Sequence, residues 1–178
     1  MSINIKVNTF ALEIWDDECA KCTFYTVRQE GESNEADKFF ERFENDTEYS
    51  DATKELLIFI LKTIGEKHGA HEALFNREEN EVTGLPNKGK ERIGSFTYQF
   101  FEFPLRIYAI KLRENLVVLF NGGIKDGPTN QTSSLHMEWR TACEYAKRID
   151  TAIREKEIEI FESERLIRSY NGSSEIWL

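Results

Sequence analysis

An α+β protein is predicted, an antiparallel sheet with helices packed on one face, in the order β-β-α-α-β-β-β-α. Three observations predict it. Short runs with a period of two recur at the N-terminus and again past the middle of the chain. Two stretches of helical spacing lie between those runs. A third helical stretch, free of proline and glycine, follows the last of them.

Ile3, Ile5 and Val7 alternate with polar neighbours, and Phe10, Leu12 and Ile14 resume the alternation after a slip at Asn8 and Thr9, so residues 3–15 read as a bulged strand. Asp16, Asp17 and Glu18 interrupt it, and residues 23–28 offer the second arm of a hairpin. Gly31 opens a turn in which Ser33 or Asn34 is placed to cap a helix over 35–45, whose Phe39, Phe40 and Phe43 share one face. Ser50 or Asp51 is placed to cap the next helix, 52–68. Leu56, Leu57, Phe59, Ile60, Leu61 and Ile64 make that helix apolar nearly all round, hence buried, and Gly65 and Gly69 sit near its end.

Residues 76–91 are polar and broken by Gly84, Pro86 and Gly89, the pattern of a long loop. Three β-rich runs follow, at 92–101, 104–112 and 115–122. Glu114 and Asn115 join the last two into a hairpin. Gly122 and Gly123 mark its exit. From 134 to about 159, Met137, Trp139, Ala142, Cys143, Ala146, Ile149 and Ile153 keep helical spacing. Residues 161–178 read as a tail, with no further strand evident. Leu166, Ile167, Tyr170 and Trp177 are its candidates for a homodimer contact.

A chain of 178 residues with 40% apolar and 31% charged content suits one soluble domain, spanning 1–178. Its longest apolar run covers only residues 56–61, too short for a membrane helix. The N-terminus lacks the basic-then-apolar plan of a signal peptide, so a cytoplasmic location with reduced Cys19, Cys22 and Cys143 is expected.

The net charge of −9 is unevenly placed. Residues 1–85 carry 9 Lys and Arg against 19 Asp and Glu; residues 86–125 carry 7 against 3. An acidic total repels nucleic acid at long range, while a basic stretch folded onto one face attracts it locally. Solvated cations on an outer sheet face are the plainer account of that stretch.

Three groups of residues bear on chemistry. Cys19 and Cys22 have the spacing of half a zinc site that His68 and His71 would complete, but they fall at a hairpin turn remote in sequence, so plain thiols are expected and neither metal nor cofactor is implied. Among the histidines, His136 is the best placed for acid–base work, at a helix start just past the Gly-Gly exit. In the 104–112 strand, Arg106, Tyr108 and Ile110 share one face and Leu105, Ile107 and Ala109 the other. An arginine beside a tyrosine on an open sheet face suits RNA, one clamping phosphate and the other stacking on a base. Lys111 and Arg113 extend the basic character of the hairpin, and Lys88 and Lys90 precede it.

The stretch from Leu105 to Lys111 (LRIYAIK), the stretch from Val117 to Lys125 ending in Gly-Gly-Ile-Lys, and the helix with Ala142 and Arg148 resemble the core of RelE/HigB-type toxins. They are closer still to a group of uncharacterised Bacteroidetes proteins with the same LRIYAI and GGIK strand motifs. The resemblance covers about residues 100–150. It implies a ribosome-dependent mRNA endoribonuclease, held in check by an antitoxin protein. Arg106 would contact the scissile phosphate and Lys125 would be the basic residue at the next strand's exit; Tyr108 and His136 are further catalytic candidates. Lys88, Lys90, Lys111 and Arg113 would contact RNA. Lys125 is followed by Asp126 where the family pairs lysines, which halves the local cationic charge. The alternative is a non-catalytic interaction protein on the same scaffold, and the acidic residues of 30–85 favour it.

Overall fold

The computed structural model describes residues 7–75, 78–87, 89–125 and 135–178. Strands β1 (Phe10–Asp16) and β2 (Thr23–Gln29) form the N-terminal hairpin, with a register shift between Ile14 and Asp16. Helix α1 (Glu35–Phe43) follows, and the Asn34 side chain caps it by accepting from the Asp37 amide at 2.8 Å. Helix α2 (Ser50–Ile58) runs on into a π-helical segment, Phe59–His68. Gly69 ends it with φ +70° and an amide donated to the Ile64 carbonyl five residues back.

Strands β3 (Val82–Leu85), β4 (Gly89–Ile93), β5 (Phe96–Phe100), β6 (Leu105–Arg113) and β7 (Leu116–Ile124) come next, then helix α3 (His136–Arg154). Short strands β8 (Ile158–Phe161), β9 (Leu166–Ser169) and β10 (Ile176–Trp177) complete the chain. The main sheet has the order β10-β1-β2-β7-β6-β3, with β4–β5 and β8–β9 as separate two-stranded ribbons.

The α+β character and the succession of the main elements agree with the sequence reading. The sheet differs in two respects. Its central neighbours β2 and β7 are parallel, with Thr23 opposite Leu116 and Thr26 opposite Leu119. Helices also cover both faces, not one. Tyr25, Val27, Tyr108, Ile110, Val118 and Phe120 pack with α3 through Ala142, Tyr145, Ala146 and Ile149. Phe24, Ile107, Ala109, Val117 and Leu119 pack with α1, α2 and the π-helical segment through Phe39, Phe43, Leu56, Ile60 and Ile64. The physical reason is in the strands themselves: both parities of β6 and β7 are apolar, and a sheet buried on both sides needs two helical layers.

Other differences are local. Loop 76–91 contains β3, which extends the sheet beside β6 from Val82 opposite Ile110 to Leu85 opposite Ile107. The 92–101 run is split by Gly94, at φ +59°, into the β4–β5 hairpin. Neither Ser50 nor Asp51 caps α2; the Asp46 carboxylate instead accepts from the Glu48 and Tyr49 amides just before it. Ile58 is 59% exposed, so the second helix is buried on one side only.

Helix α3 ends at Arg154, short of residue 159, and the tail returns to the sheet. Phe10 and Leu178 exchange both backbone hydrogen bonds, at 2.9 and 2.8 Å. Ile167, a candidate dimer contact from sequence, is instead a core residue, 1% exposed. No helix among the described residues is long and apolar enough to cross a membrane.

Candidate functional site

Arg106 and Tyr108 do share one face of β6, as their spacing requires. That face is covered. Tyr108 is 0% and Arg106 7% exposed, beneath the α3 layer. The Arg106 guanidinium donates through Nη1 to the Pro86 carbonyl, and its Nε is buried with no hydrogen-bond partner among the described residues. Burial lowers its pKa and raises that of the Tyr108 hydroxyl. The sequence expectation of an open Arg–Tyr face is therefore corrected: Ile110 and Leu112 continue the same parity, and the four side chains form an interior row.

The remaining predicted site residues disperse. Lys111 lies on the opposite parity of β6 and is 8% exposed. Arg113, at the far end of the strand, is ion-paired with Glu79 at 3.4 Å and Glu162 at 3.8 Å. Lys125 is half-buried just past β7, its amide donated to the Pro104 carbonyl at 2.8 Å. Lys90 is exposed on β4, on the same side of that ribbon as exposed Arg92. Lys88 lies outside the described residues. His136 begins α3 with its Nδ1 buried and without a hydrogen-bond partner among the described residues, its ring 6.2 Å from that of Trp139.

The thiols and the other histidines do not converge. Cys19 and Cys22 lie in the β1–β2 turn, both buried and unpaired. Burial, then the Asp16 carboxylate, raises the Cys19 pKa to about 12, far from the thiolate that a ligand or nucleophile needs. His68 shares a 2.7 Å hydrogen bond with the Tyr98 hydroxyl on β5, and His71 accepts from the Ala73 amide. Among the described residues, no group of three or more His, Cys, Asp and Glu side chains is placed to hold a metal ion.

What the fold does bring together lies at the carboxyl ends of β2 and β7. These are parallel neighbours, yet the helix after β2 packs on one face of the sheet and the helix after β7 on the other. Adjacent parallel strands whose connections leave in opposite directions open a crevice beyond their ends, the common place for ligands in sheets of this kind. Thr26 anchors one wall: its hydroxyl donates to the Leu119 carbonyl at 2.8 Å and accepts from the Ala36 amide at the start of α1.

The lining is polar. Asn121 donates to Glu35 at 2.9 Å, and Gln29 donates to the Tyr145 hydroxyl at 3.0 Å. The Glu35 side chain is 12% exposed and pairs with Lys38 at 3.4 Å. Arg42, one turn further along α1, and Leu135, leading into α3, meet over Gly123: a Cβ there would lie 3.7 Å from Arg42 Nη1 and 2.9 Å from Leu135 Cδ2. Glu138 enters from the first turn of α3. Burial, then the nearby Glu35 carboxylate, raises its pKa, while Arg42 and Lys38 oppose the shift. Burial and the same carboxylates push the Tyr145 hydroxyl up to about 12. Sequence reading missed Glu35, Arg42, Asn121, Glu138 and Tyr145. The one signal was the Gly-Gly exit at 122 and 123, where the backbone must come close to its neighbours.

The described residues thus define an α+β protein with a doubly covered mixed sheet and a cluster of charged and polar side chains around the ends of its parallel pair. Comparison with protein-family models, with curated proteins and with solved structures found no match.

Proposed function

We propose that this chain is a non-catalytic interaction protein of the cytoplasm, built on an α+β scaffold. The burial of Arg106 supports this reading. The resemblance to RelE/HigB-type toxins asks that arginine to meet a scissile phosphate, and transition-state stabilisation requires the cation at the reacting atoms. Here its Nη1 is spent on the Pro86 carbonyl. The acidic balance of the chain acts in the same direction, because ribosome docking rests on neutralising RNA phosphates.

One observation favours the endoribonuclease as a second reading. The β6–β7 hairpin, Lys125 at its exit and the following α3 keep the succession that the resemblance rests on. Under it, Lys90, Arg113 and Lys125 carry the RNA contacts, and an antitoxin covers them.

A bacterial cell-free translation reaction separates the two. At micromolar protein, unchanged reporter synthesis and intact mRNA are expected. Inhibition with cleaved mRNA, lost in a folded Lys125→Ala or Lys90→Ala variant, overturns the interaction reading. Those positions serve better than Arg106, whose replacement perturbs the core.

A further inference from the structure

The β4–β5 ribbon is separate from the main sheet, and among the described residues neither of its own edges is paired. Gly94, at φ +59°, and Ser95 form its two-residue turn, so Ile93 and Phe96 are a hydrogen-bonded pair and Glu91 and Tyr98 the next. The backbone groups of Thr97 and Gln99 therefore point away from β4, and those of Lys90 and Arg92 away from β5. One face of the ribbon is fastened to the π-helical segment. Tyr98 holds His68, the Phe100 and Phe59 ring centroids are 4.9 Å apart, and Lys67 Nζ stands 4.8 Å from the Phe96 ring centroid. Lys90, Arg92, Thr97 and Gln99 are exposed on the other face.

The two edges differ in charge. An unpaired edge is a template for another strand, and charged side chains are a common guard against that. Strand β4 carries Lys90, Glu91 and Arg92. Two copies pairing β4 to β4 about a two-fold at Glu91 would set Lys90 against Arg92 and Glu91 against itself, like charge against like. Strand β5 has no charge, proline or glycine, and every residue but Gln99 is aromatic or β-branched. Two copies pairing β5 to β5 about a two-fold at Tyr98 set Thr97 opposite Gln99 of the second copy, and Gln99 opposite its Thr97. Each of these pairs exchanges both backbone hydrogen bonds. On the ribbon's inner face Phe96, 44% exposed, then comes beside Phe100 of the second copy, an aromatic cross-strand pair.

We propose that the outer edge of β5 is a homodimer contact, two copies pairing β5 antiparallel about a two-fold at Tyr98 to give a continuous sheet β4-β5-β5-β4. The assignment goes beyond the interaction reading and does not depend on it. It puts the contact on β5 rather than on the C-terminal tail. The pairing uses the same edge in both copies, so it consumes the uncharged edge and leaves only the charged β4 edges outside, which stops growth at two copies. One short edge strand is a small interface, so the dimer is of the weak class, half-formed at about 100 µM protein.

The test is sedimentation of the full chain from about 10 µM to about 1 mM, with amide hydrogen exchange resolved by residue at both ends of that range. A monomer–dimer equilibrium is expected. Exchange at the Thr97 and Gln99 amides should slow about fourfold at the high concentration, while the Lys90 and Arg92 amides stay fast. Thr97→Lys combined with Gln99→Lys sets lysine against lysine at both pairs and should weaken the dimer by roughly tenfold or more. Both positions are exposed on the unpaired edge, so the double variant should keep the parent's unfolding midpoint at 10 µM, where the parent too is mostly monomer. Tyr170→Ser, at an exposed tail position, should dimerise like the parent. A monomer at 1 mM overturns the proposal, as does growth beyond two copies. So does a dimer whose Thr97 and Gln99 amides exchange as fast as in the monomer, a double-lysine variant that associates like the parent, or loss of the dimer in Tyr170→Ser.

Discussion

Gly84 lies against the side chain of Arg106, where a Cβ at position 84 would stand 2.7 Å from Arg106 Cδ and 3.0 Å from Cγ. The arginine's aliphatic stem therefore lies across the edge strand β3 where Gly84 carries no side chain. Tyr108 lies under the same glycine, 3.3 Å from the position of that Cβ. The arginine on which a toxin reading depends is held as a core residue.

That relationship makes the stem, not the charge, the main contribution of Arg106 to stability. A buried cation with no paired carboxylate gains little and costs desolvation, whereas its methylenes fill space. Arg106→Met keeps most of the volume and is expected to cost under about 1.5 kcal/mol. Arg106→Ala leaves a cavity beneath Gly84 and should cost about 2–4 kcal/mol. Urea unfolding of both variants measures the difference. Equal losses would assign the stabilisation to the guanidinium and its bond to the Pro86 carbonyl.

A buried tyrosine hydroxyl ties strand β9 to the main sheet. Tyr25 Oη accepts from the Ile167 amide at 2.9 Å and lies 3.4 Å from the Ile167 carbonyl, to which it donates, bridging β2 to β9 across 142 residues. Tyr25 is 2% exposed, so no water replaces the hydroxyl on removal. Tyr25→Phe should destabilise by about 1–3 kcal/mol, the cost of a buried donor left unsatisfied. Amide hydrogen exchange is expected to speed up first at Ile167. A uniform loss of protection over the whole sheet would show that the tail is not a separable unit.

How much of this was legible depends on whether the signal is local. The alternation of Phe10, Leu12 and Ile14, the Ser33 or Asn34 cap signal, which Asn34 fills, and the spacing of Ala142, Ala146 and Ile149 are properties of short segments, and each marks its element. Strand β3 is four residues containing Thr83 and Gly84, with no periodicity to read, and it becomes a strand only because β6 offers it an edge. In β8, Ile158 and Ile160 sit among glutamates that fit helical spacing equally well. The parallel pairing of β2 with β7 is further from local still. It joins segments more than 90 residues apart, and it is this pairing that brings Gln29 and Asn121 to the same end of the sheet. On β6 the strand parity of Arg106 was readable, but which layer covers that parity was not. The apolar Ile110 and Leu112 beside it were the clue that something does.

Glu138 should make stability fall with rising pH over a defined window. Its folded-state pKa is raised above the ordinary 4.5, first by burial and then by Glu35, so the native state holds the proton more tightly than the unfolded chain. Below the ordinary value both states are protonated and the residue contributes no pH dependence. As pH climbs through the raised value the native carboxylate ionises in place, and the destabilisation becomes complete above it. Glu138→Gln removes this term. The variant should match the parent's thermal midpoint below about pH 4 and exceed it at pH 7. A variant less stable than the parent at neutral pH would mean that Arg42 and Lys38 outweigh burial at this site.

The π-helical segment is fitted to the β1–β2 turn through Gly65 and Cys19. A Cβ at position 65 would lie 2.6 Å from Cys19 Sγ, 3.0 Å from Cys19 Cβ and 3.3 Å from the Ile60 carbonyl. The thiol has little room to yield, being 3.3 Å from Asp16 Oδ1 and 3.6 Å from the Leu61 carbonyl. Gly65→Ala gains about 1 kcal/mol of helical preference over glycine, but overpacking of this kind costs about 1–3 kcal/mol, so a net loss is expected. Cys19→Ala removes Sγ and relieves the closest approach while leaving the 3.0 Å contact. The double variant should therefore be more stable than the sum of the single losses by about 1 kcal/mol, which chemical denaturation of the four proteins measures. Strict additivity would mean that the π-helical turns shift to absorb the methyl group, and that Gly65 is there for the helix rather than for the cysteine.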